Sequence, residues 1–212
     1  NQPLNSWNVS NVTIMEGMFF RAGSFNQPLD SWNVSNVTIM EGMFFRAGSF
    51  NQPLNSWNVS NVTNMIAMFA FAESFNQPLN SWERNIPDNF STVSSVTNME
   101  AMFAAAKSFN QPLDSWNVTN VTNMNHMFSG ADSFNQPLNS WDVTNANNIK
   151  GMFNGAIHMQ ENFLPAFKEK VKDADFTIGI KVLKWIKDKE KAEKEYGKIS
   201  DWDVSDVTNM QY

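Results

Sequence analysis

The sequence contains no cysteine and only two histidines, His126 and His158. Without cysteine there is no disulfide framework and no thiolate metal site. That fits a reducing compartment and a bacterial surface equally well. No G-x-S-x-G, H-E-x-x-H or phosphate-cradling glycine loop occurs, and neither histidine has a partner in a catalytic motif. The expectation is a chain that is not an enzyme, with no cofactor and no bound metal. Charged residues make up only 17% and the net charge is −6, which argues against nucleic acid as a partner. No apolar run is long enough to span a membrane, and no signal segment is present.

What the chain does have is repetition. FNQPLNSWNVSNVTNMIAMF at residues 50–69 begins again, nearly unchanged, at Phe25, Phe75, Phe109 and Phe134. Trp7, Trp32, Trp57 and Trp82 are spaced by 25 residues, as are Trp116 and Trp141. Trp82 to Trp116 is 34, one period plus nine residues, and Trp141 to Trp202 is 61, one period plus 36. A fixed period of this length is the signature of a stacked repeat array. One unit cannot bury its Phe, Leu, Trp, Val and two Met alone, whereas stacked units cover one another. Asn1 and Tyr212 both fall inside a unit, so the chain is expected to be cut from a longer array of about seven coils.

Two periodicities occur in each unit. Met40, Met43, Phe44 and Ala47 recur at i, i+3, i+4 and i+7, which predicts a short helix of about two turns. Before them, Leu29, Trp32 and Val34 alternate with Ser31, Asn33 and Ser35, which predicts a short strand with one buried face. Leu29, Trp32, Val34, Met40, Met43, Phe44 and Phe50 form the expected core ladder. The predicted fold class is therefore an α/β solenoid with a parallel strand and a short helix per coil. The expected organisation is a repeat solenoid over 1–159, a helical insertion over 160–197 and a return to the solenoid over 198–212.

The pattern L-x-x-W-x-V followed by V-T-x-M-x-x-M-F-x-x-A-x-S-F is similar to the leucine-rich repeat. It more closely resembles the BspA-like repeats of bacterial surface proteins and mycoplasma-type lipoproteins. The residues that carry the resemblance are Phe25, Asn26, Leu29, Trp32, Val34, Ser35, Val37, Met40, Met43, Phe44 and Ala47, with their equivalents over residues 1–158 and 197–212. The resemblance implies a right-handed leucine-rich-repeat-like array, a cell-surface or extracellular location, and adhesion or protein binding. Coil six departs from it, with Ala146-Asn147-Asn148-Ile149 in place of Val-Thr-Asn-Met and Met159 in place of Phe.

The open strand face supplies the first candidate binding surface: Ser31, Asn33 and Ser35, then Ser56, Asn58 and Ser60, then Ser115, Asn117 and Thr119. Small polar residues are also what any solvated strand face needs. The tryptophans occupy inward positions, so core packing outweighs sugar stacking, and the Asn or Ser ladder beside them is the candidate acceptor for each indole N–H. The Met pairs sit at core spacing rather than as a soft-metal site. The paired Asn-Val-Ser and Asn-Val-Thr sequons read as repeat grammar. Thr13, Thr38, Thr63, Thr97 and Thr122 make a single Thr column, where ice-binding arrays use paired rows. Asp201, Asp203 and Asp206 in DWDVSD lack the glycine and closing glutamate of a calcium loop. Phe20 and Phe45 should point outward beside Arg21 and Arg46, forming a small apolar, cationic patch suited to a contact with a partner or with another copy.

Two interruptions supply the remaining candidates. Arg84, Asn85 and Phe90 lie in the nine-residue insertion, which leaves after Trp82 and returns near Val93. Lys181, Lys184 and Trp185 lie in the second. Residues 160–198 hold ten of the 15 basic residues and carry a net charge of +2, leaving −8 on the rest. Helices are predicted over 161–173 and 176–195, docked through Phe163, Phe167, Ile178, Val182 and Trp185, with Glu190 and Lys194 paired at i, i+4. The functional expectation is binding of a protein or glycan partner. A structural spacer that self-associates through uncapped solenoid ends is the alternative, and an ice-binding array a distant one.

Overall fold

The computed structural model describes residues 1–83, 93–167, 181–182, 185–186 and 188–205. Within them the units stack as expected, but they are built differently. Among the described residues there is no strand, only isolated parallel bridges, which join Ile14, Ile39, Asn64, Asn98, Asn123 and Asn148 in series through six coils. Among the described residues no α-helix occurs within the repeat units: coil four has a 3-10 turn at Asn80–Glu83, further 3-10 turns lie at Glu161–Phe163 and Ile199–Asp201, α-helix α1 spans Lys189–Tyr196, and residues 181–182 and 185–186 are also α-helical. The α/β solenoid with a strand and a helix per coil is therefore not the fold. It is replaced by a stack of turn-built coils.

The helical spacing has a different cause. Met43 donates its N–H to the Met40 carbonyl at 3.3 Å, and Ala47 donates to Phe44 at 3.0 Å. Two four-residue turns follow each other directly, and their ends are Met40, Met43, Phe44 and Ala47. Two such turns place i, i+3, i+4 and i+7 on one side as a helix does. The third residue of each turn is left-handed, Gly42 at φ 57° and Arg46 at φ 59°, which is the type II arrangement. The same two sites recur in every coil, occupied by Ala67 and Phe71, Ala101 and Ala105, and His126 and Gly130. Left-handed residues at every fourth position cannot continue an α-helix.

The turns free alternate N–H groups to join coils. Met40, Gly42, Phe44 and Arg46 donate to Asn64, Ile66, Met68 and Ala70 of the next coil at 2.8–3.0 Å. Each coil is thus tied to its neighbour along this side.

The predicted strand fails because its backbone groups turn back within the coil. Trp32 N–H bonds to Leu29 and Val37 N–H to Val34, while Asn33 Oδ1 accepts the Ser35 N–H at 3.1 Å. Side chains make the contacts between coils here. Trp57 Nε1 donates to the Leu29 carbonyl at 3.0 Å, and Trp32, Trp82, Trp116 and Trp141 repeat the contact. The acceptor of these five indoles is therefore a leucine carbonyl one coil below, not the Asn or Ser ladder, whereas Trp202 donates to the Gly197 carbonyl. Trp57→Phe keeps a ring but loses this bond, so urea denaturation should give a stability about 1–2 kcal/mol lower. An unchanged midpoint would mean the indole bond adds nothing net.

The inward residues are those the pattern selects. Leu29, Trp32, Val34, Met40, Met43, Phe44 and Phe50 are all buried. Phenyl rings form continuous stacks, with Phe44 4.0 Å from Phe50 inside its coil and 5.5 Å from Phe69 in the next. A polar ladder runs alongside: Asn51, Asn76, Asn110 and Asn135 each donate N–H to the asparagine Oδ1 of the preceding coil. It ends at Asn135, whose own buried Oδ1 has no partner, because the chain departs from the repeat pattern at Gln160.

The first interruption leaves the register intact. Asn64 bridges Asn98 across 34 residues as the other pairs do across 25, and Val93 is fully buried where the chain re-enters. At the other end, the described part of the predicted helix over 161–173, residues 161–167, holds only the 3-10 turn Glu161–Phe163, and Pro165, which cannot donate into a helix, follows. Residues 168–173 and Ile178 lie outside the described residues. Phe163 and Leu164 pack half-buried and Phe167 buried against the core, and Leu138 donates N–H to the Phe163 carbonyl at 2.7 Å. The second predicted helix, over 176–195, is not continuous: residues 181–182 and 185–186 are helical, but Asp188 is extended, and α1 begins after it at Lys189, with Asp188 capping the Lys191 N–H, and ends before Gly197. Its i, i+4 pair is Lys189–Glu193 at 3.8 Å rather than Glu190–Lys194.

Candidate functional site

The polar columns exist, but much of their hydrogen-bonding capacity works within the stack. Asn58 Oδ1 accepts the Ser60 N–H and Asn117 Oδ1 the Thr119 N–H. Ser56 donates its hydroxyl to the Asp30 carbonyl one coil below. The Ser35 and Thr119 carbonyls receive the amides of Asn61 and Asn145. Ser31, Asn33, Ser56, Asn58, Ser115 and Asn117 are exposed, whereas Ser35, Ser60 and Thr119 are half-buried. The first interruption departs from this same face at Glu83, the coil-four equivalent of Asn58. Arg84, Asn85, Phe90 and Lys184 lie outside the described residues.

The Thr hydroxyls are also engaged. Thr38, Thr63, Thr97 and Thr122 each donate Oγ1–H to the Thr carbonyl of the preceding coil at 3.1–3.3 Å. Asp203 accepts the Ser205 N–H at 3.0 Å as Asn33 accepts that of Ser35, and this bond holds its carboxyl below the usual range. It occupies the same turn position as the asparagines. Asp206 lies outside the described residues.

The second interruption closes on itself. Trp185 is half-buried, with its indole N–H 3.4 Å from Glu193 and the Lys189 ammonium 5.6 Å over its rings. Lys181 lies 5.7 Å over the Tyr196 ring. A cleft of about 660 Å³ separates coil six from α1, with His158 and Met159 on one wall and Lys191 and Ala192 on the other. The Tyr196 hydroxyl sits between Glu161 and Glu195. Burial, followed by these two carboxylates, pushes its ionisation far above the ordinary tyrosine range. His158 Nδ1 contacts the Asp132 carbonyl, and His126 occupies a left-handed turn site at φ 55°. Among the described residues no group of three His, Asp or Glu could hold a metal ion, and no helix is long and apolar enough to cross a membrane.

The surface of coils one to three differs. The left-handed turn site that Arg21 and Arg46 occupy directs its side chain outward, and the residue before it points the same way. Phe20 stacks on Phe45 at 4.9 Å with planes 8° apart, and Phe45 meets Phe71 edge-on at 5.6 Å. The Arg21 guanidinium lies 5.2 Å over Phe20, and that of Arg46 lies 5.5 Å from Phe45 and 5.1 Å from Phe71. Phe20 is 51% and Phe71 39% exposed. Phe71 escapes the alignment of columns because it occupies the arginine position, one residue after the column of Phe20 and Phe45. The A-F-A of coil three, where other coils have a small or charged residue, is the signal for it. In coils four to six these positions hold Ala104 and Ala105, Ser129 and Gly130, and Asn154 and Gly155, so the patch ends there.

The repeat grammar that builds these coils matches the family described as "Mycoplasma protein of unknown function, DUF285" at residues 1–92, 88–167 and 184–212. The chain belongs to that family. Three successive matches make this DUF285 chain a repeat protein, and the third covers α1 and the return of the tryptophan motif at Trp202. No curated protein is significantly similar to it.

Proposed function

We propose that this DUF285 chain is a non-enzymatic binding module of a surface protein, with an adhesin-like role toward a protein or glycan partner. The observation that carries the reading is the aromatic–arginine patch. It exposes Phe20 and Phe71 on a stack whose other described repeat aromatics, apart from Trp7 in coil one, turn largely inward. Exposed, contiguous apolar surface rimmed by charge is a mark of interaction sites. The resemblance to BspA-like repeats supports the surface location and the adhesive role. The polar columns are the weaker contact surface, since Asn58 and Ser56 already serve the stack.

The test is retention of members of a random peptide library and of an oligosaccharide array by the immobilised chain. Retention should fall at least tenfold in the Phe20→Ser, Phe45→Ser, Phe71→Ser variant and stay near the parent value in Asn58→Lys. No retained ligand, or equal retention by all three proteins, would leave the structural spacer as the better account. That second reading draws support from the ladders, which tie coils one to six together along two sides.

A further inference from the structure

We propose that the patch receives an acidic protein segment bearing leucyl or aromatic side chains. This rests on the binding reading above and names the chemistry of the partner. The chain has three arginines, and two of them are here. In a protein with 21 acidic residues against 15 basic ones, no carboxylate among the described residues lies within ion-pair distance of Arg21 or Arg46. Both guanidiniums lie over phenyl rings, 5.1–5.5 Å from the ring centroids. A guanidinium packed on an aromatic face keeps its in-plane N–H donors available, and those donors match a carboxylate two at a time.

The two arginines occupy equivalent turn sites in hydrogen-bonded coils. Arg21 N–H donates to the Phe45 carbonyl at 2.6 Å, and Arg46 N–H to Ala70 at 2.8 Å. Their backbones are therefore about one inter-strand spacing apart, roughly 5 Å. Carboxylates two residues apart on an extended segment stand roughly 7 Å apart, which two long, exposed side chains can span. Apolar side chains of the same segment would cover the exposed parts of Phe20 and Phe71.

The ring geometry favours protein over sugar. A sugar stacks on an open aromatic face. Here the faces of Phe20 and Phe45 cover each other, Phe45 meets Phe71 edge-on, and guanidinium groups lie over all three rings. What remains is largely ring edge, which suits aliphatic and aromatic side chains.

The experiment is fluorescence anisotropy of a labelled DDDLLDDDLLDD peptide, which carries carboxylates two residues apart and a leucine on the same face, titrated with the intact chain. A KKKLLKKKLLKK counterpart, oligo-aspartate and sialyllactose are run in parallel. The Asp–Leu peptide should bind more tightly than all three, and more weakly as salt rises. Arg21→Glu with Arg46→Glu should weaken it at least tenfold, and the double Lys variant by a smaller factor, with unchanged urea midpoints. If library ligands need the three phenylalanines but the Asp–Leu peptide does not bind, the partner chemistry is wrong and the binding reading stands. Patch-dependent binding of sialyllactose alone would assign the patch to an acidic glycan. Concentration-dependent self-association abolished by the Glu variant would assign it to a second copy. If nothing binds through the patch, both readings fall.

Discussion

Phe69→Ala should lower the unfolding free energy by about 3–5 kcal/mol, the largest loss expected from a single truncation in this chain. The ring is fully buried, 5.5 Å from Phe44 below, 5.6 Å from Phe103 above and 4.1 Å from Phe75 beside it. Neighbouring coils cannot collapse into the hole, because Phe69 N–H is tied to Met102 at 2.9 Å and Phe44 N–H to Met68 at 2.8 Å. Phe19→Ala removes the same ring from coil one, where Phe44 is the ladder neighbour and Phe19 retains 8% exposure. Its cost should be nearer the lower end of the range. Urea denaturation of the two variants compares the sites directly. In a stack whose units contact only nearest neighbours, the central change should also broaden or split the transition. Equal losses at the two positions would mean that coil one is as tightly held as coil three, contrary to the packing.

Gly42→Val should cost about 2–3 kcal/mol, and Ala67→Gly should raise stability by about 1 kcal/mol. Both residues hold the first left-handed site of their coil, at φ 57° and φ 51°. A β-branched side chain is poorly tolerated there, and Ala67 already bears part of the penalty. The conformation persists at Ala67 because its N–H donates to Glu100 at 2.8 Å and Met68 closes the turn on Met65. Steric crowding is not the reason at Gly42, since an added Cβ would meet only Phe45 Cβ, at 3.8 Å. Thermal unfolding of both variants decides the matter. A helical segment at 65–72 would reverse the sign for Ala67, since glycine is the poorer helix former.

The inward residues were legible and the backbone that presents them was not. Met40, Met43, Phe44 and Ala47 are selected by burial, and burial is indifferent to whether a helix or two consecutive turns delivers it. Gly17, Gly42 and Gly151 at the centre of the motif carried the missing information, since glycine inside a helix is unfavourable. In other coils Ala67, Ala101 and His126 replace it and conceal the signal. The strand was over-read for a related reason. Trp32 and Val34 do alternate with exposed residues, but only over this short span, and Asn33 is an Asx-turn residue before it is a strand residue. The outward Phe20 and Phe45 followed from their neighbours' burial, whereas Phe71 required knowing that the arginine site is left-handed.

The first interruption shows that chain length and coil phase are independent in this architecture. Nine residues enter between Trp82 and Val93, yet the Asn64–Asn98 bridge and the Thr97 to Thr63 hydrogen bond at 3.0 Å keep the spacing of uninterrupted coils. The corner after each tryptophan is thus a splice point. A foreign peptide placed between Trp57 and Val59 would be displayed at a fixed height along the stack, and coils above and below would not register its length.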